Sequence, residues 1–148
     1  MSKFRKVSEI ENGNPKYINS PETNLFQKGK QLFGVTNAKK LLNEKRLIIC
    51  EGYMDVISLF QNNIKSVVAP LGTAFTEEQL KLSWRYTDRP TIMFDGDEAG
   101  RRASFKAALM CLPFLIPNKT IQFVTLPINT DPDNYLENKK FNDLLTLL

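Results

Sequence analysis

Residues 47–56 read LIICEGYMDV, and residues 91–100 read TIMFDGDEAG. In each segment a short apolar run ends in carboxylates and a glycine, as is typical of a buried β-strand that leads into a tight turn. Strands that are apolar along their whole length belong to parallel sheets covered on both faces. The two segments therefore predict a parallel sheet that carries acidic side chains at one edge.

Three carboxylates, Glu51, Asp95 and Asp97, directly follow these two strands. The carboxyl ends of parallel strands meet at one edge of the sheet, where α/β proteins bind their ligands. Carboxylates gathered in a small volume repel one another unless a divalent cation lies between them. Asp131 and Asp133 follow a later strand and fall at the same edge by sequence order. The pattern therefore predicts a metal-dependent phosphoryl-transfer site.

From Leu47 onward the chain alternates between short apolar strands and amphipathic helices. We expect strands at Leu47–Cys50, Ser66–Pro70, Thr91–Phe94 and Ile121–Leu126, and helices at Tyr53–Asn62, Thr76–Tyr86, Ala99–Leu112 and Phe141–Leu148. Repeated strand–helix–strand units predict an α/β fold, with a Rossmann-like parallel sheet of about four strands flanked by helices. Residues 1 to about 40 show little periodicity, and we expect them to be either an N-terminal basic arm packed on this sheet or the remnant of another subdomain.

The composition restricts the chemistry that the chain can perform. Its 148 residues include no histidine and only two cysteines, Cys50 and Cys111, both in apolar surroundings. This disfavours a zinc site, excludes a nucleophile paired with histidine and predicts buried, reduced thiols. The longest apolar stretch is too short to span a bilayer, and the N-terminus lacks a signal-peptide pattern. We therefore expect a cytoplasmic protein without membrane contact.

Charge is unevenly distributed along the chain. Residues 1–50 hold ten Lys and Arg against four Asp and Glu, whereas residues 51–148 hold ten against twelve. A basic segment beside an acidic pocket suits an enzyme that handles a polyanion, although a solvated basic surface explains the charge equally well. Arg101, near the start of a predicted helix, either meets phosphate close to the metal or lies on a surface face.

The triplet Asp95-Gly96-Asp97 is also a common turn sequence when taken alone. An EF-hand loop that begins at Asp95 is excluded for two reasons. Its twelfth position needs glutamate but is occupied by Lys106, and a helix should precede the loop where the sequence predicts a strand. A phosphatase with an aspartyl nucleophile usually has threonine where this chain has Ala99. The joint occurrence of strand–Glu–Gly, strand–Asp–Gly–Asp and a later Asp-x-Asp favours a functional site over coincidental turns.

Strand–Glu–Gly followed by strand–Asp-x-Asp resembles the TOPRIM domain of topoisomerases, primases and some nucleases. Residues 51–56 and 95–100, together with LGTA at 71–74 and DPD at 131–133, resemble bacterial DnaG-type DNA primases in particular. The upstream segments PKYINSPET at 15–23 and FQKG at 26–29 are similar to the basic segment that precedes the TOPRIM domain in those primases. The resemblance extends from about Asn14 to Asp133.

This resemblance implies metal-dependent nucleotidyl transfer, the synthesis of short RNA primers on single-stranded DNA during replication. It implies a Mg²⁺ site, in which Mn²⁺ can substitute, and no zinc in this part of the protein. The implied Mg²⁺ ligands are Glu51, Asp55, Asp95, Asp97, Asp131 and Asp133. The catalytic residues would be Glu51, Asp95 and Asp97, with Glu51 open to a role as metal ligand or general base. The implied contacts to nucleotide or nucleic acid are Lys16, Tyr17, Asn19, Lys28, Gly52 and Arg101.

Compared with that family, we expect a fragment. Residues 1–45 would be the remnant of the N-terminal subdomain of the core, residues 46–136 the TOPRIM domain, and residues 137–148 the start of a helical element. The implied partners are a single-stranded DNA template, ribonucleoside triphosphates and the RNA primer, at the bacterial nucleoid or replisome. The zinc-binding domain and the domain that binds the replicative helicase are not expected in this chain. A stand-alone TOPRIM nuclease and a non-catalytic fragment that binds single-stranded nucleic acid remain open alternatives.

Overall fold

The computed structural model of the chain describes residues 21–24, 26–39, 46–72, 74–132 and 134–135. These residues form a five-stranded sheet flanked by helices, which confirms the predicted α/β architecture. The strands are β1 (Leu32–Phe33), β2 (Ile48–Ile49), β3 (Val67–Pro70), β4 (Thr91–Phe94) and β5 (Gln122–Thr125). The helices are α1 (Val35–Lys39), α2 (Tyr53–Gln61), α3 (Glu77–Ser83) and α4 (Glu98–Cys111), with 3₁₀ turns at Lys28–Lys30 and Leu112–Phe114. The predicted helix at Phe141–Leu148 lies outside the described residues.

The strand order in the sheet is β1-β3-β2-β4-β5. The strands β3, β2, β4 and β5 are parallel neighbours, as expected for strands joined through helices. In the register of the sheet, Ile48 pairs with Val67 on one side and with Thr91 on the other. The strands β2 and β4 are therefore neighbours at the centre, and their carboxyl ends lie side by side.

The edge strand β1 extends the sheet beyond the four parallel strands that the sequence pattern predicts. Leu32 and Phe33 belong to the segment predicted to be a basic arm, and they pair with Pro70 and Ala69 of β3 in antiparallel orientation. A strand of two residues is too short to show an alternating pattern. Its formation depends on the free edge that β3 offers, which is a tertiary feature.

The sheet is covered on both faces, which explains the unbroken apolar runs of β2, β3 and β4. On one face Val56 of α2 packs into a buried cluster that includes Cys50. On the other face Leu80 of α3 and Ala107 of α4 pack into a second cluster that includes Cys111. Both cysteines are buried free thiols, as predicted.

The helix α3 begins as its sequence predicts and ends earlier. Thr76 and Gln79 form a capping box at its N-terminus. The helix ends at Ser83, and the chain continues in tight turns through Trp84, which is half-buried and donates from its Nε1 to the carbonyl oxygen of Thr120 (2.9 Å). No helix among the described residues is long and apolar enough to cross a membrane.

Candidate metal and nucleotide site

Three loops at the carboxyl ends of β2, β4 and β5 build the candidate site. Glu51 follows β2 by two residues, Asp95 directly follows β4, and Asp131 lies in the loop that leaves β5. Because these strands are parallel neighbours, the three loops leave the same edge of the sheet. Glu51, Asp95 and Asp131 therefore lie at the edge of the sheet to which their sequence order assigns them.

Gly96 joins the β4 loop to the β5 loop. Its N–H donates to the carbonyl oxygen of Thr130 (2.8 Å). A Cβ atom at this position would lie 1.9 Å from the carbonyl oxygen of Pro127, so only glycine allows the two loops to approach this closely. The contact holds Asp95 near Asp131, close enough for the charge of Asp131 to affect the pKa of Asp95.

Asp97 and Gly100 begin the helix α4. The Oδ1 atom of Asp97 accepts a hydrogen bond from the N–H of Gly100 (2.7 Å), which caps the helix. A Cβ atom on Gly100 would lie 2.3 Å from the carbonyl oxygen of Asp95. Glycine therefore lets the first turn of α4 pack directly on the backbone of Asp95, while one oxygen of Asp97 is used for capping.

The side chain of Asp95 is half-buried in an unfavourable environment for its charge. Burial is the main reason that its pKa is raised from 3.8 to about 6, and repulsion adds to it, in decreasing order, from Asp55, Asp131 and Asp97. Within the described part of the chain, its Oδ1 atom is buried and has no hydrogen-bond partner. A buried carboxylate oxygen without a donor costs free energy. A bound cation would relieve both the repulsion and the missing partner.

Glu51 shares this environment from the end of β2. Desolvation is the largest cause of its raised pKa, followed by repulsion from Asp95 and then from Asp97, while a hydrogen bond from the Asp95 backbone lowers the pKa. The buried thiol of Cys50 has a strongly raised pKa, caused by burial and then by the charges of Asp55 and Asp95. The acidic groups at the ends of β2 and β4 therefore interact electrostatically.

Asp55 contributes charge from the first turn of α2. Its Oδ2 atom accepts a hydrogen bond from the N–H of Gly52 (3.0 Å), which is the N-cap residue of that helix. Asp55 therefore stabilises the helix start and also raises the pKa of Asp95. Gly52 is one of the predicted nucleotide contacts, and in this structure its N–H is bonded to Asp55.

Asp131 is bonded within its own loop. Its Oδ1 atom accepts from the backbone N–H of Asn134 (2.7 Å), and its Oδ2 atom accepts from the side-chain amide of the same residue (2.8 Å). Asp133 lies outside the described residues. Of the predicted Asp-x-Asp pair, the structure therefore describes Asp131 alone.

The acidic groups lie near one another without closing into a cage of ligands. In the described ranges, no group of three or more Asp, Glu or Cys side chains is arranged as a metal site. Carboxylates that repel one another stay apart unless a cation draws them together. The donor set nevertheless fits a hard divalent cation, because Glu51 and Asp95 offer neighbouring carboxylates and the Asp95 Oδ1 atom has no donor among the described residues.

The predicted basic contacts are placed in part. Lys28 begins the 3₁₀ turn ahead of β1, and Leu32 of β1 pairs with Pro70 at the carboxyl end of β3. The turn therefore lies at the same edge of the sheet as the carboxylates, next to β1, which is separated from β2 by β3. Arg101 is exposed on α4. The other predicted contacts lie outside the described residues: Lys16, Tyr17 and Asn19.

The sequence did not predict the long-range hydrogen bonds that hold the parts of the candidate site together. The carbonyl of Thr130 fixes the β4 loop through Gly96, and the side chain of Gln79 bonds to the backbone of Lys28 and Gln31, about fifty residues earlier. A capping pattern marks Gln79 in the sequence, but it signals only the bonds inside the helix. Contacts between distant parts of the chain leave no local signal.

The chain matches two protein-family models. Residues 48–136 match the model described as Toprim-like, and residues 5–39 match the DNA primase catalytic core, N-terminal domain. The DNA primase of Neisseria meningitidis is 43% identical over 128 residues, which cover 86% of this chain and 22% of that protein. The chain therefore spans less than a quarter of the length of this relative.

Solved structures agree with these matches. A DNA primase domain from Pseudomonas aeruginosa superposes with a TM-score of 0.85 at 38% identity, covering 93% of this chain and 43% of that one. A DnaG primase catalytic domain bound to single-stranded DNA superposes with a TM-score of 0.84 at 38% identity, covering 93% of this chain and 44% of that one. The chain therefore belongs to the Toprim-like family, and it matches the catalytic core of bacterial DNA primases in both sequence and structure.

Proposed function

We propose that this chain provides the metal-binding part of a primase active site, which joins ribonucleotides into short RNA primers on single-stranded DNA. The observation that carries the proposal is the placement of Glu51 and Asp95 at the ends of adjacent parallel strands, where the pKa of each carboxyl is raised. Carboxyls that resist ionisation because of burial and mutual repulsion gain most from a divalent cation. Membership of the Toprim-like family supports the same function.

The proposed cation is Mg²⁺, with Mn²⁺ as a substitute. Its central ligands would be Glu51 and Asp95, and further carboxylates would complete the site from Asp55, Asp97, Asp131 and Asp133. When bound, the metal supplies charge stabilisation at the reacting phosphates and activates the primer 3′-hydroxyl. A donor set of carboxylates in a chain without histidine suits Mg²⁺ better than zinc.

The protein would contribute orientation and charge. Gly96 and Gly100 hold Asp95 between the β5 loop and the start of α4. Asp55 holds the turn after Glu51 by accepting the Gly52 N–H. The raised pKa of Glu51 also suits proton acceptance from a hydroxyl, so both proposed roles of this residue remain in the proposal.

Single-stranded DNA is the proposed template, and ribonucleoside triphosphates are the proposed substrates. A relative of closely similar structure is bound to single-stranded DNA. Residues 1–50, which contain Lys28, hold ten basic against four acidic residues, and such an excess binds phosphates. The proposed phosphate and template contacts are Lys16, Tyr17, Asn19, Lys28 and Arg101.

Mn²⁺ titration followed by NMR line broadening tests the metal site directly. In the wild type we expect amides near Glu51, Asp97 and Asp131 to broaden at low Mn²⁺, because paramagnetic relaxation detects even weak binding. Asp95→Asn removes a central ligand and should abolish this local broadening. Asp88→Asn is the matched control, since Asp88 precedes β4 and lies at the opposite edge of the sheet.

Equal broadening in the wild type and in Asp95→Asn would contradict the metal site. Incubation with single-stranded DNA, Mg²⁺ and ribonucleotides then identifies the reaction. Primer products that disappear in Asp95→Asn support nucleotidyl transfer. Nicking of DNA with Mg²⁺ alone would point to a nuclease instead.

A further inference from the structure

Two polar side chains at the start of α3 hold the 3₁₀ turn that begins at Lys28. Gln79 is 0% exposed, and its Nε2 atom donates to the carbonyl oxygens of Lys28 (3.0 Å) and Gln31 (2.9 Å). The Oγ1 atom of Thr76 donates to the carbonyl oxygen of Gly29. We call these three bonds the α3 clamp. They connect positions 47 to 51 residues apart in the chain.

The clamp goes beyond what helix capping requires. The N–H of Thr76 donates to Gln79 Oε1 (3.0 Å), and the N–H of Gln79 donates to Thr76 Oγ1 (3.2 Å), which completes the capping box within the helix. A capping box needs nothing from the Nε2 atom of glutamine. A side-chain amide that is buried completely must nevertheless bond its hydrogens, and here the carbonyl oxygens of Lys28 and of Gln31, the residue after the turn, accept both. The burial of Gln79 is therefore coupled to the position of the turn.

The turn is also fixed from its other side. The backbone N–H of Lys28 donates to Glu22 Oε1 (2.9 Å), while its carbonyl accepts from Gln79. With both backbone groups bonded, Lys28 has a fixed Cα from which its side chain extends. The turn lies at the carboxyl edge of the sheet, beyond β3, and β3 is the neighbour of the strand that leads to Glu51.

We propose that Thr76 and Gln79 are positioning residues that hold Lys28 for contact with the phosphates of a nucleoside triphosphate. The inference rests on the proposed function, in which Lys28 binds phosphate. Lysine is a flexible point charge that loses side-chain entropy on binding. A fixed backbone reduces the freedom that remains to be lost, and preorganisation of this kind increases affinity. The clamp would therefore strengthen nucleotide binding without touching the nucleotide.

Substitutions at Thr76 separate the clamp from the cap. Aspartate is a good N-cap acceptor for the Gln79 N–H, but a carboxylate cannot donate to the carbonyl of Gly29. Thr76→Ser keeps both bonds, and Thr76→Gly removes the donor without adding charge, at a small cost to capping. In Thr76→Asp and Thr76→Gly we expect hydrogen exchange at the amides of Lys30 and Gln31 to accelerate about tenfold, the effect of one lost hydrogen bond, with Thr76→Ser unchanged.

Nucleotide affinity shows whether the clamp acts through Lys28. The probe is ATP with Mg²⁺. Thr76→Asp and Thr76→Gly each lose one hydrogen bond that positions Lys28, so they should weaken ATP binding about tenfold, whereas Thr76→Ser should not. In a Lys28→Ala background the same substitutions should have no further effect, as a double-mutant cycle requires of residues that act through one another. The cycle distinguishes positioning from a general loss of structure, which would lower affinity in both backgrounds.

Each contrary outcome has its own meaning. Unchanged exchange in Thr76→Asp and Thr76→Gly would show that the clamp does not hold the turn. An equal loss of ATP affinity with and without Lys28 would show that the clamp does not act through this lysine. If Lys28→Ala bound ATP as tightly as the wild type, Lys28 would not bind the phosphates, and the inference would be wrong. The Mn²⁺ experiment would still report on the metal site independently.

Discussion

Replacement of Asp95 by asparagine should stabilise the protein when no divalent metal is present. Folding raises the pKa of this carboxyl from 3.8 to about 6 through burial and through the charges of Asp55, Asp131 and Asp97. One pKa unit corresponds to about 1.4 kcal/mol, so this pKa increase means that folding disfavours the ionised carboxylate by about 3 kcal/mol. Solvent screening around a half-buried group reduces this value, so we expect a gain of about 1–2 kcal/mol in the free energy of unfolding above pH 7.

The gain should depend on pH with a definite sign. A raised pKa means that the folded state penalises the ionised carboxylate. The penalty is absent below pH 3.8, grows as the pH rises and is complete above about pH 6. The advantage of Asp95→Asn should therefore be fully present at pH 7.5 and largely lost near pH 4. Urea unfolding in the presence of EDTA measures this gain in stability. The signal is the fluorescence of Trp84, which is half-buried and is the single tryptophan.

Asp88→Asn is the control, because it makes the same chemical change at the opposite edge of the sheet. It removes an exposed ion pair to Lys119 and should change stability by less than about 0.5 kcal/mol. Added Mg²⁺ should stabilise the wild type and leave Asp95→Asn unaffected, which reverses their order. A loss of stability in Asp95→Asn at pH 7.5, or a gain at pH 4 as large as the gain at pH 7.5, would refute the electrostatic account of the site.

Three further predictions concern packing and bonding. Gly96→Ala should destabilise the protein by about 3 kcal/mol or more in urea, because its Cβ would lie 1.9 Å from the Pro127 carbonyl, while Gly29→Ala, with its nearest atom at 3.5 Å, should be tolerated. Trp84→Phe removes the bond from Nε1 to the Thr120 carbonyl and should cost about 1 kcal/mol, measured by thermal unfolding with circular dichroism; an unchanged transition would show that this bond adds no stability. The thiols of the native protein, buried at Cys50 and Cys111, should react with a thiol reagent only after urea is added, and rapid reaction of either thiol in the native protein would contradict its burial.

Much of the sheet follows from local pattern. Apolar runs that are followed by helices predict β2, β3, β4 and β5, and the structure places each within a residue or two of the expected range. The end of α3 is less well predicted, because Trp84 and Tyr86 continue the helical spacing while the backbone has already tightened into turns. The strand β1 has no periodic signal at all, since its two residues pair only because β3 presents an edge.

Local sequence also predicts part of the candidate site, and tertiary structure decides the rest. The local sequence alone is sufficient to assign Glu51 and Asp95 to one edge of a parallel sheet, because a strand that ends in a carboxylate must deliver it to the carboxyl edge. The shifted pKa of Asp95 depends on how closely Asp55 and Asp131 approach, and the Gly96 contact with the β5 loop sets part of that approach.

The α3 clamp belongs wholly to the tertiary structure. Its donors on Thr76 and Gln79 and its acceptors on the turn at Lys28 are about fifty residues apart, so no short stretch of sequence contains both partners. Local sequence determines which segments become strands and helices, because backbone propensity and apolar spacing act over a few residues. Desolvation, charge repulsion and long-range hydrogen bonds depend on distances that exist only after the segments have packed.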